Sequence, residues 1–335
     1  MRYMVFTAKH HDGFAMYPSK VSPFALGSTP FKRDPVRELA DAAARRGIKF
    51  GVYYSHAVDW HHPGGSDPNP VWDPAQAGSR DDYLRDVSVP QVRELLTSYP
   101  DLAVLWWDAA RGMTPARSAL LNALLPLQPS IITNDRLGGG FRGDFDVAER
   151  TIPTTVPARP FESALTINGT WGYRSDDTRW KTAAVLVSSL IEVVSKGGNL
   201  LLNVGPTGEG VIPAESADRL AQMGAWLKVN GEAIYGAAAS PLPDPPWGRV
   251  TVKKERVYLH LLQRPAATTI LVPMKNVPRR IYPLATPATT LVFQSRSTGL
   301  EVTLPPLPAP SPAELPTVVV VELAEDAAIP VAAPP

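Results

Sequence analysis

The sequence YMVFTAKHHD, residues 3–12, is a short apolar run that ends in a cluster of polar side chains. Two later stretches repeat this arrangement: LWWD at residues 105–108 ends in Asp108, and IITNDR at residues 131–136 ends in Asn134, Asp135 and Arg136. In an alternating β/α barrel, the reactive groups lie at the carboxyl ends of successive buried strands. The three stretches therefore predict such a barrel, and they predict an enzyme.

The composition excludes several classes of protein and partner. The 335 residues include 33 basic and 32 acidic side chains, so the net charge of +1 creates no overall field for nucleic acid or anionic lipid. The absence of cysteine excludes disulfides, thiolate zinc sites and thiol nucleophiles. The N-terminus has no secretory signal core, and no run of 18 apolar residues predicts a membrane span. We therefore predict an uncharged partner and neither a nucleic-acid nor a membrane partner.

The order of the predicted elements indicates two domains. Near-continuous apolar strands alternate with amphipathic helices, one of them over residues 80–97, which is typical of a parallel sheet covered by helices. Half of the 36 prolines lie beyond residue 240, among segments of alternating polarity, and proline confines strands to sheet edges. We therefore predict an α/β fold with a (β/α)8-type TIM barrel over residues 1–236 and a small antiparallel β-sandwich over residues 237–335.

Asp108 is the sharpest candidate for a catalytic group. A carboxylate at a strand end, directly after two tryptophans, is held rigidly beside aromatic faces that suit a sugar ring; the alternative is an ordinary turn-capping aspartate. Sugar cleavage also requires a second carboxylic acid that protonates the departing oxygen. The residues leave four candidates open for that role: Asp144, Asp146, Glu149 and Glu162.

The paired histidines His10 and His11 allow two interpretations. Neighbouring side chains on a strand point to opposite faces, so the two rings are poorly placed to bind one metal ion, and we predict no metal. Neutral imidazoles suit hydrogen bonds to sugar hydroxyls, with Lys9 and Asp12 as supporting partners. Arg136 offers either a fork of donors to a hydroxyl or an ion pair with a nearby carboxylate.

Six motifs together resemble the α-L-fucosidases of glycoside hydrolase family 29. In chain order they are TAKHHDGF (7–14), GVYYS (51–55), LWWD (105–108), NDR (134–136), WGY (171–173) and GNLLLNVGP (198–206). The resemblance covers residues 3 to about 236, whereas the C-terminal domain fits the family by position and composition. It implies a retaining, exo-acting enzyme that needs no cofactor and releases terminal fucose from an oligosaccharide or glycoconjugate.

The resemblance also implies roles for individual residues. Asp108 matches the nucleophile. Four further residues match positions that contact fucose: His10, His11, Tyr54 and Arg136. Of the two neighbouring tyrosines, Tyr54 is expected to face the pocket in preference to Tyr53. Trp171 lies in another matching motif and is a further candidate for substrate binding. The acid/base role falls to Glu149 or Glu162, with Glu149 ranked first, and the true partner is expected about 5–5.5 Å from Asp108.

One departure from the family concerns the beginning of the chain. Relatives have an extra segment with the first barrel strand and a His-Trp motif, so the resemblance predicts a barrel without its first strand and exposed backbone edges at residues 3–7 and 199–204. The missing strand motivates one alternative, a catalytically inactive carbohydrate-binding relic, and the paired histidines motivate another, a metal-dependent hydrolase. A signal peptide upstream would predict a secreted or periplasmic protein, and the sequence leaves a homo-oligomer open.

Overall fold

A computed structural model describes residues 1–66, 73–263, 265, 267–304 and 314–324. The chain divides into two compact units, Met1–Val147 and Ala148–Pro335. Among the described helices, none combines the length and the apolar character that a membrane crossing requires.

The first unit is built on a four-stranded parallel sheet. Its strands lie in the order of the chain: β1 (Tyr3–Lys9), β2 (Lys49–Ser55), β3 (Val104–Asp108) and β4 (Ile132–Thr133). Parallel neighbours need crossover connections, and four helices supply them: α1 (Pro35–Arg45), α2 (Arg80–Tyr83), α3 (Val89–Ser98) and α4 (Pro115–Asn122). The predicted alternation of strands and helices is therefore present in this unit.

Local sequence accounts for the bounds of these helices. Helix α1 begins at Pro35, because the Asp34 side chain accepts a hydrogen bond from the Arg37 amide and Pro35 occupies the first turn. The helical stretch predicted over residues 80–97 is present, but it is not α-helical throughout, because a π-helical turn, Leu84–Ser88, lies between α2 and α3. Pro90 lacks the N–H that would continue the α-helical ladder at this point.

The strands β2 and β3 present two different faces. Side chains on a strand alternate, so Val52 and Tyr54 point with Leu105 and Trp107 into the core that contains the apolar faces of α1 and α3. All four side chains are fully buried. Tyr53, Trp106 and Asp108 therefore occupy the other face, and this face carries the candidate site.

The second unit begins with a three-stranded sheet and two long helices. The sheet has the order β5 (Asp146–Glu149), β6 (Phe161–Thr166) and β7 (Asn199–Asn203), with β6 and β7 parallel, and β5 starts just before the division between the units. Helix α5 (Ala183–Ser195) follows β6, and α6 (Ala214–Asn230) follows β7. In the described residues, β1 and β7 are each an outer strand of their own sheet.

The remaining strands form two antiparallel sheets. One has the order β8 (Ala238–Ala239), β9 (Gly248–Lys253), β10 (Arg256–Leu261), β15 (Thr317–Leu323) and β12 (Pro278–Pro283); the other contains β11 (Thr269–Val272), β14 (Gly299–Thr303) and β13 (Phe293–Arg296). Tyr258 and Val320 of the larger sheet pack with Leu186 and Trp226 of α5 and α6 in one apolar cluster. The predicted domain boundary at 236/237 falls inside this second unit and stays a prediction.

Candidate active site

Asp108 is the last residue of β3 and is positioned through the backbone that precedes it. The buried Asn134 side chain accepts a hydrogen bond from the Trp107 amide (3.1 Å) and donates one to the Trp107 carbonyl (2.9 Å). The same Asn134 oxygen caps the short 3-10 turn of Asp135–Leu137, which carries Arg136. One amide therefore fixes both the carboxylate and the arginine beside it.

Two donors hold the Asp108 carboxylate. Tyr53 donates its hydroxyl proton to Oδ2 at 2.7 Å, and Arg136 donates from Nη1 to Oδ1 at 2.8 Å. Burial alone would raise the pKa of this carboxyl, but the hydrogen bonds from Tyr53 and Arg136 outweigh it and hold the pKa below its ordinary value. Asp108 is therefore ionised at neutral pH while about one fifth of its side chain remains exposed.

The expectation that Tyr54 faces the site in preference to Tyr53 is wrong. Tyr54 is fully buried, and its hydroxyl donates to Gln91 Oε1 at 2.7 Å in the core. Tyr53 stacks on Trp106, with ring centroids 5.5 Å apart, and the Arg136 guanidinium lies 5.2 Å from the same indole ring. Because side chains alternate along a strand, the two tyrosines lie on opposite faces of the sheet. Tyr53 pairs with Trp106 and therefore lies on the face that carries Asp108.

His10 and His11 lie together beside Asp108, which corrects the prediction that their rings point apart. Strand β1 ends at Lys9, so the alternation no longer applies, and the ring centroids are 4.2 Å apart. His10 stacks on Tyr53 at 5.3 Å, while His11 Nδ1 lies 2.7 Å from Ser55 Oγ and Nε2 lies 3.8 Å from Asp108 Oδ2. Burial, reinforced by the neighbouring His10, lowers the pKa of His11 to about 4, so its imidazole is neutral at neutral pH.

The same three side chains have the composition of a weak metal site. Ligand atoms of His10, His11 and Asp108 lie within 4.8 Å of one another. The Asp108 oxygens, however, already accept hydrogen bonds from Tyr53 and from the positively charged Arg136. A cation would have to displace or repel that guanidinium, so the arrangement suits a neutral ligand with hydroxyl groups better than a metal ion.

A buried ion pair lies beneath the histidine turn. Lys9 Nζ is 2.9 Å from Asp59 Oδ2, both side chains are completely buried, and Lys9 also donates to the Tyr83 hydroxyl at 2.6 Å. Asp59 further accepts the amide protons of His61 and His62. Nothing in the local sequence indicates this contact, because Lys9 and Asp59 are 50 residues apart.

Backbone contacts join the turn to the loop that carries Asp59. The Trp60 amide donates to the His11 carbonyl at 2.6 Å, and Gly13 has a positive φ of 85°. A Cβ at Gly13 would lie 2.3 Å from Asp59 Oδ1, so only glycine fits against this carboxylate. The lysine of the KHHDGF motif thus supports the histidines from below.

The second unit contains the two candidate acid/base residues. Glu149 is the exposed last residue of β5, whereas Glu162 is buried and is the second residue of β6. Glu162 pairs with Asn199, the first residue of β7, and so lies at the amino ends of these parallel strands. About 13 Å of strand separates it from the carboxyl end at Thr166.

Glu149 and Asp108 share a backbone feature. Each is followed directly by a non-glycine residue in the left-handed region, Ala109 with a φ of 58° and Arg150 with a φ of 54°. Only Lys32 and Lys254 share this property among the other described non-glycine residues. Such conformations cost about 1–3 kcal/mol each and concentrate at functional sites.

Trp171 lies in the loop that follows β6. Its carbonyl accepts a hydrogen bond from Asn203 at the end of β7 (2.7 Å), and the Arg150 guanidinium lies 5.4 Å from its ring. Trp171 and Glu149 are therefore both associated with the carboxyl-end loops of the second unit, and Asp108, His10, His11 and Arg136 form one cluster in the first.

Comparisons with known proteins agree with these motifs. A family model described as Alpha-L-fucosidase matches residues 1–232. The chain is 38% identical to a plasma α-L-fucosidase of Rattus norvegicus over 251 residues, which are 70% of this chain and 53% of that protein. It is 30% identical to the tissue α-L-fucosidase of Mus musculus, covering 96% of this chain and 73% of the relative. The chain spans about half the length of the plasma enzymes that it matches.

Solved structures give the same result for the fold. An α-L-fucosidase from Vibrio sp. strain EJY3 superimposes with a TM-score of 0.89 at 31% identity, covering 98% of this chain and 61% of that one. Isoenzyme 1 from Paenibacillus thiaminolyticus gives a TM-score of 0.86 at 34% identity, with 97% and 84% coverage. The matches confirm the resemblance drawn from the motifs and an α/β fold. The chain belongs to the α-L-fucosidases of glycoside hydrolase family 29.

Proposed function

We propose that the protein is a retaining, exo-acting α-L-fucosidase that removes terminal fucose from oligosaccharides or glycoconjugates without a cofactor. The observation that carries this proposal is the Asp108 carboxylate, which Tyr53 and Arg136 keep ionised at the end of β3 within a family of fucosidases. In the same proposal, the parallel strands belong to a (β/α)8-type barrel and the antiparallel sheets to a β-sandwich, as the sequence predicts.

The reaction proceeds by two displacements. An Asp108 oxygen attacks the anomeric carbon of fucose as the bond to the departing oxygen breaks, and a carboxylic acid gives that oxygen its proton. The fucosyl group is then bound to Asp108 as an ester. Water attacks the same carbon, the second carboxylate takes its proton, and Asp108 leaves as a carboxylate, so fucose is released with its original configuration.

The side chains around Asp108 suit the recognition of a neutral sugar. Neutral His10 offers one donor and one acceptor to hydroxyl groups, and His11 offers Nε2 because its Nδ1 is hydrogen-bonded to Ser55 Oγ. Arg136 is the charged donor group beside the nucleophile. Tyr53, and not Tyr54, is the tyrosine of the GVYYS motif that lies beside the nucleophile. Trp171 is a further candidate for substrate binding, as the family resemblance implies.

Glu149 is the preferred acid/base residue. It lies at the carboxyl end of its strand, where barrel enzymes carry their reactive groups, and Arg150 behind it has the same left-handed backbone as Ala109 behind Asp108. Glu162 is buried at the amino end of β6, which disfavours contact with a substrate at the opposite end. A relative supports the two-step reaction: a Bacteroides thetaiotaomicron enzyme, 25% identical with a TM-score of 0.82, has a trapped covalent intermediate with 2-fluoro-fucosyl fluoride.

The proposal predicts that the same reagent labels this protein. Incubation with 2-fluoro-fucosyl fluoride should add one fluorofucosyl group, measured by intact-mass spectrometry, and peptide mapping should place it on Asp108. The proton-NMR spectrum of the first product formed from 4-nitrophenyl α-L-fucoside should be that of α-fucose. A protein that binds fucose but neither turns over the fucoside nor becomes labelled would instead be the carbohydrate-binding alternative.

Substitution of the two glutamates should separate their roles. Glu149→Ala is expected to slow cleavage of a fucosyl-lactose by about 10²-fold or more, because the poor leaving group needs a proton. Cleavage of 4-nitrophenyl fucoside should suffer much less, and azide should restore turnover with formation of α-fucosyl azide. Glu162→Ala serves as the matched variant, and azide should not restore its turnover. Rescue by azide in Glu162→Ala but not in Glu149→Ala would reverse the assignment.

The adjacent tyrosines give a prediction for the pH dependence of activity. Ionised Asp108 and neutral His11 place the acidic limb of kcat/KM near pH 4 or below. Tyr53→Phe removes a donor to the carboxylate, which raises the pKa of Asp108 and moves this limb to higher pH. Tyr54→Phe loses only the core bond to Gln91, so it should cost about 1 kcal/mol of stability and leave the limb in place. A shift in the second variant and none in the first would contradict the placement of the two rings.

A further inference from the structure

A cavity of about 320 Å³ lies at the carboxyl-end loops of the sheet in the second unit. Six residues line it: Arg150, Leu165, Thr166, Asn168, Gly169 and Lys181. Arg150 directly follows β5, Thr166 ends β6, and Lys181 directly precedes the N-cap residue of α5. The cavity is thus formed by loops of the kind that bind substrate in barrel enzymes. It differs chemically from the site around Asp108, because its charged lining residues are both cations.

Neither cation is neutralised in the described part of the chain. Lys181 directs its three donors to uncharged oxygens, the Thr166 carbonyl and hydroxyl and the Asn168 carbonyl. Burial and the nearby charge of Arg150 lower the pKa of Lys181, and the charge of Asp177 opposes them only in part. Asp177 is the neighbouring carboxylate, and it forms its ion pair with Arg179 at 3.1 Å. Among the described residues, no carboxylate forms an ion pair with Arg150 or Lys181.

Arg150 is held in place and keeps most of its donors available. Its guanidinium lies against the Trp171 ring, and Nη2 donates to the Gly169 carbonyl at 2.5 Å. Within the described residues this is the one hydrogen bond of its side chain, so four of the five guanidinium N–H groups stay available. The positive φ of Arg150 fixes the direction in which the chain leaves β5. A pre-positioned guanidinium edge is the geometry that binds carboxylate or sulfate oxygens in pairs.

We propose that Arg150, with the field of Lys181, binds an anionic group, a carboxylate or a sulfate ester, on the sugar to which the fucose is attached. The proposal rests on the proposed function, since it places an aglycone subsite next to Glu149 and Trp171. It also refines the expectation of an uncharged partner: the net charge of +1 describes the whole chain, whereas this cavity is locally positive. Fucose itself remains the neutral part of the substrate.

The first experiment compares matched substrates. Fucosyl-lactose is assayed beside the same trisaccharide carrying a 6-sulfate, and beside one in which the galactose is replaced by galacturonate. We expect kcat/KM of the wild-type enzyme to be about tenfold higher for at least one anionic form, as a charged hydrogen-bonded pair allows. The preference should shrink at 0.5 M NaCl, because salt screens exposed charges. Preference for the sulfate or for the carboxylate alone identifies the natural anion and supports the subsite.

Variants test whether Arg150 is responsible. Arg150→Gln should bring the ratio of anionic to neutral kcat/KM close to one, and Arg150→Lys should keep part of the preference. Arg280→Gln is the matched control, because Arg280 likewise contacts an aromatic ring (Tyr282) and donates to a backbone carbonyl. A ratio close to one in the wild-type protein, or a preference that survives in Arg150→Gln, would overturn the proposal.

A binding measurement separates the subsite from the reaction. Galactose 6-sulfate, galacturonate and galactose are titrated into the wild-type protein and into Arg150→Gln, with chemical shifts of the ligand followed by NMR. Binding of an anionic sugar that needs Arg150 supports the subsite even if no fucoside is hydrolysed, in which case only the proposed function fails. Equal binding of all three sugars, or equal binding by both proteins, rejects the subsite whatever the activity.

Discussion

Replacement of Asp108 by glycine is expected to lower kcat/KM for 4-nitrophenyl α-L-fucoside by at least about 10³-fold, because the double displacement loses its nucleophile. The fold should tolerate the change. Asp108 is the last residue of β3 and is partly exposed, and the backbone before it is held by Asn134 independently of the carboxylate. Release of 4-nitrophenol, followed by absorbance, measures the loss.

Azide distinguishes a missing nucleophile from a damaged protein. In Asp108→Gly, azide can enter the space left by the carboxylate and form a bond to the anomeric carbon while the bond to 4-nitrophenolate breaks. The expected product is β-fucosyl azide, with inverted configuration. Asp135→Gly serves as the matched control in the neighbouring turn. Activity of Asp108→Gly within tenfold of wild type would remove Asp108 from the mechanism.

Removal of Lys9 is expected to have the largest effect on stability. Lys9→Met leaves the fully buried Asp59 carboxylate without its cation, and breaking a buried ion pair from one side costs about 3–5 kcal/mol. Ordinary domains have only about 5–15 kcal/mol in total. Urea unfolding, followed by tryptophan fluorescence, should therefore show a much lower midpoint.

A double-mutant cycle identifies the ion pair as the cause. The double variant Lys9→Met/Asp59→Asn should lose less free energy of unfolding than the sum of the losses in the two single variants. The reason is that the double variant has no isolated buried charge. Arg33→Met, which breaks the exposed pair with Glu38, should leave the midpoint unchanged. If Lys9→Met unfolded at the same urea concentration as wild type, the buried pair would have no role in stability.

The same pair gives a pH dependence of stability. Burial raises the pKa of Asp59, but Lys9 and His62 outweigh it and hold the pKa well below its usual range. A carboxyl with a depressed pKa in the folded state stabilises the protein above its ordinary pKa, near 4, and the contribution is lost as the pH falls further. Asp59→Asn should remove this part of the acid sensitivity, which unfolding experiments from about pH 5 down to about pH 2 can measure.

The fold class and the identity of the nucleophile candidate could be predicted because they depend on local pattern. An apolar run that ends in Asp108 indicates a strand and its carboxyl end without any knowledge of long-range contacts. Asp34-Pro35 predicts the start of α1 for the same reason, and the structure has the helix there. The order of short motifs such as KHHDGF was sufficient to identify the family.

The sequence by itself therefore determined the alternation of strands and helices, the family, and Asp108, His10, His11 and Arg136 as candidate site residues. Only the tertiary structure decided that Tyr53 and not Tyr54 lies beside Asp108, because strands buried on both faces carry apolar or aromatic residues at every position and conceal their orientation. It alone revealed the Lys9–Asp59 pair and the cavity at Arg150. Their members are far apart in the chain, so that only folding brings them within hydrogen-bonding distance.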